Sequence, residues 1–287
     1  MPTTSEFTDA HGVTIVYDVH AADGEPRGIV QLLHGVGEHA GRYGAVIDAL
    51  TRDGFIVYAD DHRGHGRTGL RQHGGPEKLG RLGTGGLHAA KEAVWQLTGI
   101  IRTEHPDLPL VLLGHSWGSF LAQMLVNDHP DAWDAVILTG SARRTPRDLN
   151  AAPLNARWEG AEATGYEWLS RDPAVWSAFD DDPLTTNVPL LKLFGPIEAL
   201  KLYGRPKKDL AARRDVPLLL MVGRDDPVGG AHSVHKLADD YRQRSGYTDV
   251  TTLVYPDARH EIFNELQQQQ VRADLTAWLD KHIARRD

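Results

Sequence analysis

The chain has 287 residues, of which 41% are hydrophobic and 24% are charged, so it can bury a sizeable core and is not globally disordered. It contains no cysteine, which excludes a disulfide framework, a zinc thiolate site and a cysteine nucleophile. The formal net charge is −8 and no long lysine or arginine cluster is present, so we expect no nucleic-acid partner.

The N-terminal stretch MPTTSEFTDAHG has no basic region followed by an apolar one, so we expect no cleaved signal peptide. No apolar run approaches the roughly 20 residues that a membrane-spanning helix needs. Together with the absence of cysteine, these features favour a cytoplasmic protein. Peripheral contact with a membrane stays open, and the sequence gives no indication of the oligomeric state.

Apolar runs along the chain predict buried strands. The first, GVTIVYDVHA at 12–21, alternates and predicts an antiparallel edge strand that pairs with residues nearer the N-terminus. The later runs are continuous, as in strands that are buried on both faces of a parallel sheet. These later runs are 29–33, 55–59, 110–113, 135–139, 217–222 and 250–255.

Helical patterns lie between the apolar runs. Each pattern places its apolar residues on one face of a helix, for example Tyr43, Val46, Ile47 and Leu50. This alternation of strands and helices predicts an α/β fold with an open, mostly parallel, doubly wound sheet of about eight strands.

The alternation stops near residue 142 and resumes after residue 212. The segment 142–212 contains three tryptophans and the apolar stretch 189–204, so it is more aromatic than a linker. We therefore predict a core formed by residues 1–141 and 213–287. We also predict that residues 142–212 form an inserted, mostly helical cap over the carboxyl edge of the sheet.

The stretch VLLGHSWGSF at 111–120 runs from an apolar strand through Ser116 into a helix. Ligands of open α/β sheets bind at the carboxyl ends of the strands, where Ser116 lies. A sharp turn at this point crowds the backbone, and Gly114 and Gly118 relieve the crowding because they have no Cβ. The alternative is a tight turn in which Ser116 only caps a helix. The position between strand and helix favours a nucleophile.

A serine nucleophile needs a base, and on this fold the base comes after the serine in the chain. His260 directly follows the last predicted strand, where a loop can reach back over the sheet. The other histidines after Ser116 fall in predicted helices or at their ends, namely His129, His232, His235 and His282. We therefore predict His260 as the base.

The base needs an acid that orients it, and the loop after the run 217–222 offers two. Asp225 and Asp226 are neighbours, so the pattern alone does not separate them. One can orient His260 while the other caps the next helix. We prefer Asp226 and keep Asp225 as the alternative.

Two further loops follow predicted strands. HGVGEHAGRY at 34–43 would place backbone N–H groups beside the serine, and we predict the N–H groups of Val36 and Trp117 as the oxyanion hole. An ordinary strand–helix turn is the alternative. DDHRGHGRT at 60–68 contains His62 and His65, but further metal ligands have no evident source. We expect this loop to be hydrogen-bonded and to support the oxyanion strand.

Taken together, the motifs resemble the α/β-hydrolase superfamily and, within it, the monoacylglycerol lipase and lysophospholipase group. They occur in the family's order and span most of the chain: HGVGEHAGRY, DHRGHGRT, GHSWGS, GRDDPVGG and YPDARHEIFNE. By this resemblance Ser116 matches the nucleophile, Asp226 the acid and His260 the base. Val36 and Trp117 match the oxyanion positions.

The resemblance implies a carboxylic ester hydrolase that acts on esters of single acyl chains, with neither a metal nor an organic cofactor. Three positions depart from the family pattern: Trp117 stands where methionine is common, Ser119 where glycine is common, and Thr68 where serine is usual. A tryptophan beside the nucleophile could narrow the acyl pocket. A short-chain carboxylesterase is therefore an alternative. A thioesterase uses the same triad and a ligand-binding protein on a hydrolase scaffold can retain it, so both also stay open.

Overall fold

Within residues 2–284, which this computed structural model describes, eight strands form one sheet. The strands are β1 (Thr3–Thr8), β2 (Thr14–His20), β3 (Gly28–Leu33), β4 (Phe55–Asp60), β5 (Leu110–His115), β6 (Ala135–Thr139), β7 (Leu218–Gly223) and β8 (Val250–Tyr255). Their order is β1-β2-β4-β3-β5-β6-β7-β8, and all neighbours from β4 to β8 are parallel. The predicted α/β-hydrolase fold is confirmed.

The antiparallel end of the sheet differs from the prediction in one respect. β2 pairs with β1, with Thr3 opposite Val19 and Thr8 opposite Thr14, as the N-terminal alternation indicates. However, β2 also pairs with β4, so it is the second strand and not the edge. β1 forms the edge, and its exposed side chains give it no apolar run that the sequence could reveal.

Within the described residues, seven α-helices lie between strands and an eighth follows β8. They are α1 (Gly44–Arg52), α2 (Gly66–His73), α3 (Gly86–Glu104), α4 (Trp117–Asp128), α5 (Pro173–Asp180), α6 (Leu190–Leu200), α7 (Gly230–Asp239) and α8 (Gln268–His282). None of them is long and apolar enough to cross a bilayer.

The core lies on both faces of the sheet. One apolar cluster packs α3, α4 and α7 against the strands, and the other packs α1 and α8 on the opposite face. In β3, Ile29 and Leu33 belong to the first cluster, whereas Val30 and Leu32 belong to the second. Because successive side chains point to opposite faces, a strand buried on both sides is apolar throughout.

The segment between β6 and β7 holds α5 and α6, and most of the rest is irregular. α6 is interrupted at Gly195, which has φ 77° and is followed by Pro196. Leu193 and Phe194 from α6 are buried in the apolar cluster that contains α4. The division into a core and a cap at residues 142 and 212 stays a prediction.

Candidate active site

Ser116 lies in the turn between β5 and α4, at the carboxyl edge of the sheet. Its backbone has φ 52° and ψ −122°, a conformation that residues other than glycine rarely adopt. A Cβ on Gly114 would lie 2.6 Å from the carbonyl oxygen of Gly118. A Cβ on Gly118 would lie 2.3 Å from the carbonyl oxygen of Leu33. Both positions that flank the turn therefore require glycine, because any Cβ there would collide with backbone atoms.

Hydrogen bonds hold the backbone of Ser116 on both sides. Its N–H donates to the carbonyl oxygen of Thr139 at the end of β6 (2.9 Å). Its carbonyl oxygen accepts the hydroxyl of Ser119 (2.5 Å). Trp117 is the first residue of α4, so its N–H has no acceptor within the helix. This N–H group therefore lies beside Ser116 at a helix N-terminus, where a developing negative charge is favoured.

His260 lies in the loop after β8, and its ring contacts both an acid and the end of β5. His260 Nδ1 is 3.0 Å from Asp226 Oδ1, which also accepts the N–H of Val228 (2.8 Å). The ring centroid is 4.7 Å from that of His115, the residue that precedes Ser116. The structure thus pairs His260 with Asp226 and places the His260 ring against His115, the residue next to Ser116.

Asp225 and Asp226 differ sharply in their surroundings. The side chain of Asp226 is fully buried against His260. The side chain of Asp225 is 35% exposed and its Oδ1 accepts from Arg157 Nη2 (3.0 Å). Within the described residues, His260 Nδ1 contacts Asp226, the residue that we preferred, and the role of Asp226 as the acid stays a prediction.

The surroundings of His260 favour its protonated form. Burial acts to lower the pKa of His260, but the charge and hydrogen bond of Asp226 outweigh it, with further support from Glu261 and Glu38. The net direction is a raised pKa. The neighbouring His115 behaves oppositely, because burial, and then the charge of His260, hold its pKa well below the usual range.

The turn after β3 carries Val36 and approaches Ser116 closely. A Cβ on Gly35 would lie 3.0 Å from the Cβ of Ser116. The N–H of Gly35 donates to Glu38 Oε1 (2.6 Å), which fixes the turn directly before Val36. The structure therefore places the turn that contains Val36 against Ser116, the residue directly before Trp117.

The side chain of Trp117 is fully buried beneath the segment between β6 and β7. Its ring stacks on His65 with 5.1 Å between centroids, and it meets Phe194 of α6 edge-on at 5.2 Å. Its contacts therefore span the loop at residues 60–68 and the predicted cap.

The loop at residues 60–68 supports the end of β3, as its sequence predicts. The N–H of His62 donates to His34 Nε2 (2.9 Å), and the two imidazole rings stack at 4.0 Å. His62 Nδ1 pairs with Asp60 Oδ2 (2.7 Å). His34 directly precedes the turn that carries Val36, so these contacts hold that turn in place.

A buried ion cluster, which was not predicted from the sequence, lies beside these residues. Arg42 pairs with Glu261 through Nη2 (2.7 Å) and with Glu38 through Nε (3.3 Å). Two signals were available: Glu38 and Arg42 stand four residues apart in the glycine-rich motif, and Glu261 directly follows His260. Neither signal indicates that the three side chains meet.

Comparison with known proteins identifies the family. The profile of the family described as serine aminopeptidase, S33, matches residues 24–267. The chain is 35% identical to a monoacylglycerol lipase of Mycolicibacterium smegmatis, with 96% of each sequence covered. It is 25% identical to a monoglyceride lipase of Mus musculus over 91% of this chain and 85% of that protein.

A solved structure agrees with these relatives. The crystal structure of a highly thermostable carboxyl esterase from Bacillus coagulans in complex with glycerol has 26% sequence identity and a TM-score of 0.85, with 99% of both chains covered. The fold, the glycine-flanked serine turn and the sequence relatives lead to one assignment. The chain belongs to the serine aminopeptidase S33 family of α/β-hydrolases, within the monoacylglycerol lipase-like group that its motifs resemble.

Proposed function

We propose that this chain is a carboxylic ester hydrolase that cleaves esters of single acyl chains, of the monoacylglycerol or lysophospholipid type. Ser116 acts as the nucleophile, His260 as the base and Asp226 as the acid that orients it. The observation that carries the proposal is the 3.0 Å contact between His260 Nδ1 and Asp226 Oδ1 at the strand edge that holds Ser116. The names of the relatives, which include lipases and an esterase, support the same class.

The geometry supports the following reaction sequence. Asp226 holds Nδ1 of His260 as the proton donor, which leaves Nε2 to accept the proton of Ser116 as its oxygen attacks the ester carbonyl. The imidazolium that results then protonates the departing alcohol. Water, activated in the same way by His260, hydrolyses the acyl-enzyme and regenerates Ser116.

The backbone N–H groups of Val36 and Trp117 stabilise the oxyanion of the tetrahedral intermediate. The Trp117 donor is supported by its place at the start of α4, and the Val36 donor by the close approach of Gly35 to Ser116. Each such donor typically contributes about 2.7–4 kcal/mol to lowering the barrier. Because both donors belong to the backbone, the unusual side chain at position 117 leaves this contribution unchanged.

Substrate choice depends on the segment over the serine. Ser116 is 9% exposed and His260 is 2% exposed, so an ester reaches them only when this segment makes room. Phe194 packs against Trp117, the residue after Ser116, and Leu193 is buried in the same apolar cluster, so this segment provides apolar side chains that suit an acyl chain. The packing of Trp117 against Phe194 favours the alternative of a short-chain carboxylesterase, because the pair fills space beside the nucleophile.

The experiment compares p-nitrophenyl esters from acetyl to palmitoyl with monoacylglycerols and lysophospholipids, in the wild type and in Ser116→Ala. The proposal predicts Ser116-dependent turnover that rises with chain length until the apolar space is full, with release of glycerol from monoacylglycerols. Turnover limited to short esters moves the substrate to small esters, and a preference for acyl thioesters indicates a thioesterase.

The proposed function fails if the folded protein turns over none of these substrates. Labelling of Ser116 by a fluorophosphonate without turnover would point to a ligand-binding protein on this scaffold. Equal ester hydrolysis by Ser116→Ala and the wild type would remove Ser116 from the mechanism.

We further propose a cytoplasmic enzyme that touches lipid surfaces peripherally through the predicted cap. Among the described residues, the large apolar side chains that are most exposed concentrate here: Val188, Leu191, Ile197 and Leu200. Lys192 adjoins Leu191 in the sequence, whereas Lys201 is paired with Glu198 (2.6 Å). Exposed apolar side chains with a lysine beside them suit the surface of a bilayer that contains anionic lipid.

Co-sedimentation with phosphatidylcholine vesicles containing phosphatidylglycerol tests the lipid contact. We expect Leu191→Ser and Ile197→Ser to weaken binding without changing hydrolysis of a dissolved short ester. Leu266 is 62% exposed outside this patch, so Leu266→Ser is the matched control. Equal loss of vesicle binding in Leu266→Ser, or no loss in the patch variants, would contradict the proposal.

A further inference from the structure

Three charged side chains, Glu38, Arg42 and Glu261, are buried beside the proposed catalytic residues. Their side chains are only 5%, 8% and 5% exposed. Arg42 Nη2 lies 2.8 Å and 2.7 Å from the two carboxylate oxygens of Glu261, and Arg42 Nε lies 3.3 Å from Glu38 Oε2. Burial of charges in this way is costly and adds little net stability, so this ion cluster calls for a role in function.

The Glu38 end of the ion cluster holds the turn at residues 34–37, which carries the Val36 N–H and is called the oxyanion turn below. Glu38 Oε1 accepts the N–H of Gly35 (2.6 Å) and the hydroxyl of Tyr43 (2.7 Å). Gly35 directly precedes Val36 and lies against Ser116. Because one carboxylate oxygen binds the turn and the other faces Arg42, the orientation of the Val36 N–H depends on the ion cluster.

The Glu261 end holds the loop of the base. Glu261 follows His260 in the chain, and its N–H donates to the carbonyl oxygen of Leu169 (2.7 Å). Its Oε2 also accepts from Asn264 Nδ2 (2.8 Å) in the same loop. The carboxylate of Glu261 therefore anchors the loop that carries the His260 ring, while Arg42 ties this loop to the oxyanion turn.

We infer that Glu38, Arg42 and Glu261 are positioning residues of the hydrolase, which lock the turn that carries the Val36 N–H to the loop that carries His260. The inference rests on the proposed function, since it assigns supporting roles within the same reaction. The Val36 N–H and the His260 ring must keep a fixed separation while the ester carbonyl is attacked, because small misplacements of catalytic groups lower the rate strongly. Arg42 contacts Glu261 through Nη2 and Glu38 through Nε, so its planar guanidinium fixes the two carboxylates relative to each other.

The ion cluster also carries a charge that acts on His260. When all three groups are ionised, its two carboxylates exceed its one guanidinium by one negative charge, which favours the imidazolium. The charged or titratable groups that act on His260 or contact its ring are Asp226, Glu261, Glu38 and His115, and Arg42 acts on the neighbouring His115. Removal of a carboxylate from the ion cluster therefore moves the acidic limb of the rate profile to lower pH.

The test uses Glu38→Gln and Glu261→Gln, which keep the size of each side chain and remove its charge. With p-nitrophenyl butyrate, we expect kcat to fall about tenfold or more while KM changes by less than about threefold. The acidic limb of kcat/KM against pH should move to lower pH in both variants. Glu261→Asp keeps the charge, so the acidic limb of its kcat/KM profile should stay at the pH found for the wild type.

Glu6→Gln is the matched control, because Glu6 is 57% exposed in a surface ion pair with Arg71. It should behave as the wild type, and thermal melting reports whether each variant folds. If Glu261→Gln does not fold, Glu38→Gln decides the question by both readouts, and Arg42→Lys, which keeps its charge, decides it by the loss of kcat. Folded variants with the kcat and the pH profile of the wild type would overturn this inference and leave the proposed function intact. A folded wild type without ester turnover would overturn the proposed function as well.

Discussion

The substitution Gly118→Ala tests directly whether close backbone packing shapes the serine turn. Gly118 lies in the first turn of α4, where alanine would otherwise be the better helix former. A methyl group here would lie 2.3 Å from the carbonyl oxygen of Leu33 and 2.5 Å from that of His34. Both atoms belong to the backbone at the end of β3, so no flexible side chain can move aside.

The expected cost follows from these distances. Forced overpacking in a core costs about 1–3 kcal/mol, and the gain in helix propensity offsets about 1 kcal/mol of this cost. The net loss of up to about 2 kcal/mol lowers Tm by up to about 8 °C in a chain of this size. Since Leu33 and His34 lead into the turn of Val36, a shift on the order of 1 Å should also lower kcat by up to about 100-fold.

Urea unfolding and ester hydrolysis measure the two effects. We expect a lower midpoint with an unchanged m-value, together with reduced kcat. Gly99→Ala is the matched control, because Gly99 lies within α3 and a Cβ there would meet no atom within 4 Å. That variant should gain about 0.5–1 kcal/mol. Wild-type stability and activity in Gly118→Ala would refute the reasoning.

Three further predictions concern the acid, the base and the loop that holds the base. Asp226→Asn should lower kcat by about 10³–10⁴-fold, whereas Asp225→Asn should change it by less than about threefold, and equal losses would contradict the assignment. The base must be neutral to act, so kcat/KM should rise with pH through the raised pKa of His260. A kcat/KM that does not rise with pH in this way would contradict the assignment of His260 as the base. Glu265 is fully buried and accepts the N–H of Arg259 (2.8 Å), so Glu265→Ala should lose about 1–3 kcal/mol in urea unfolding, and an unchanged midpoint would contradict this.

The sheet could be predicted well because its central strands, β3 to β7, are buried on both faces and the edge strand β8 also has an apolar run. The run 55–59 becomes β4 at Phe55–Asp60, and the run 250–255 becomes β8 with identical bounds. Both follow from local composition, which is visible in a short window of sequence. β1 was not delimited, because one of its faces meets solvent and its sequence, TTSEFT, has no apolar run.

The candidate site was predictable where one residue defines a turn, and less so where distant residues meet. Gly114 and Gly118 mark positions where neighbouring backbone atoms leave no room for a side chain, so the sequence itself indicates the sharp turn at Ser116. The contact between Arg42 and Glu261 joins positions 219 residues apart, and no local pattern encodes it. The choice between Asp225 and Asp226 depends on which of two adjacent side chains faces inward, which only the folded loop defines.

The most direct test of the account is hydrolysis of p-nitrophenyl butyrate and a monoacylglycerol by the wild type and by Ser116→Ala, with thermal melting of both proteins. The account predicts turnover by the wild type and a loss of about 10⁴-fold or more in Ser116→Ala, at an unchanged melting temperature. A folded Ser116→Ala variant that hydrolyses either ester at the rate of the wild type would contradict it.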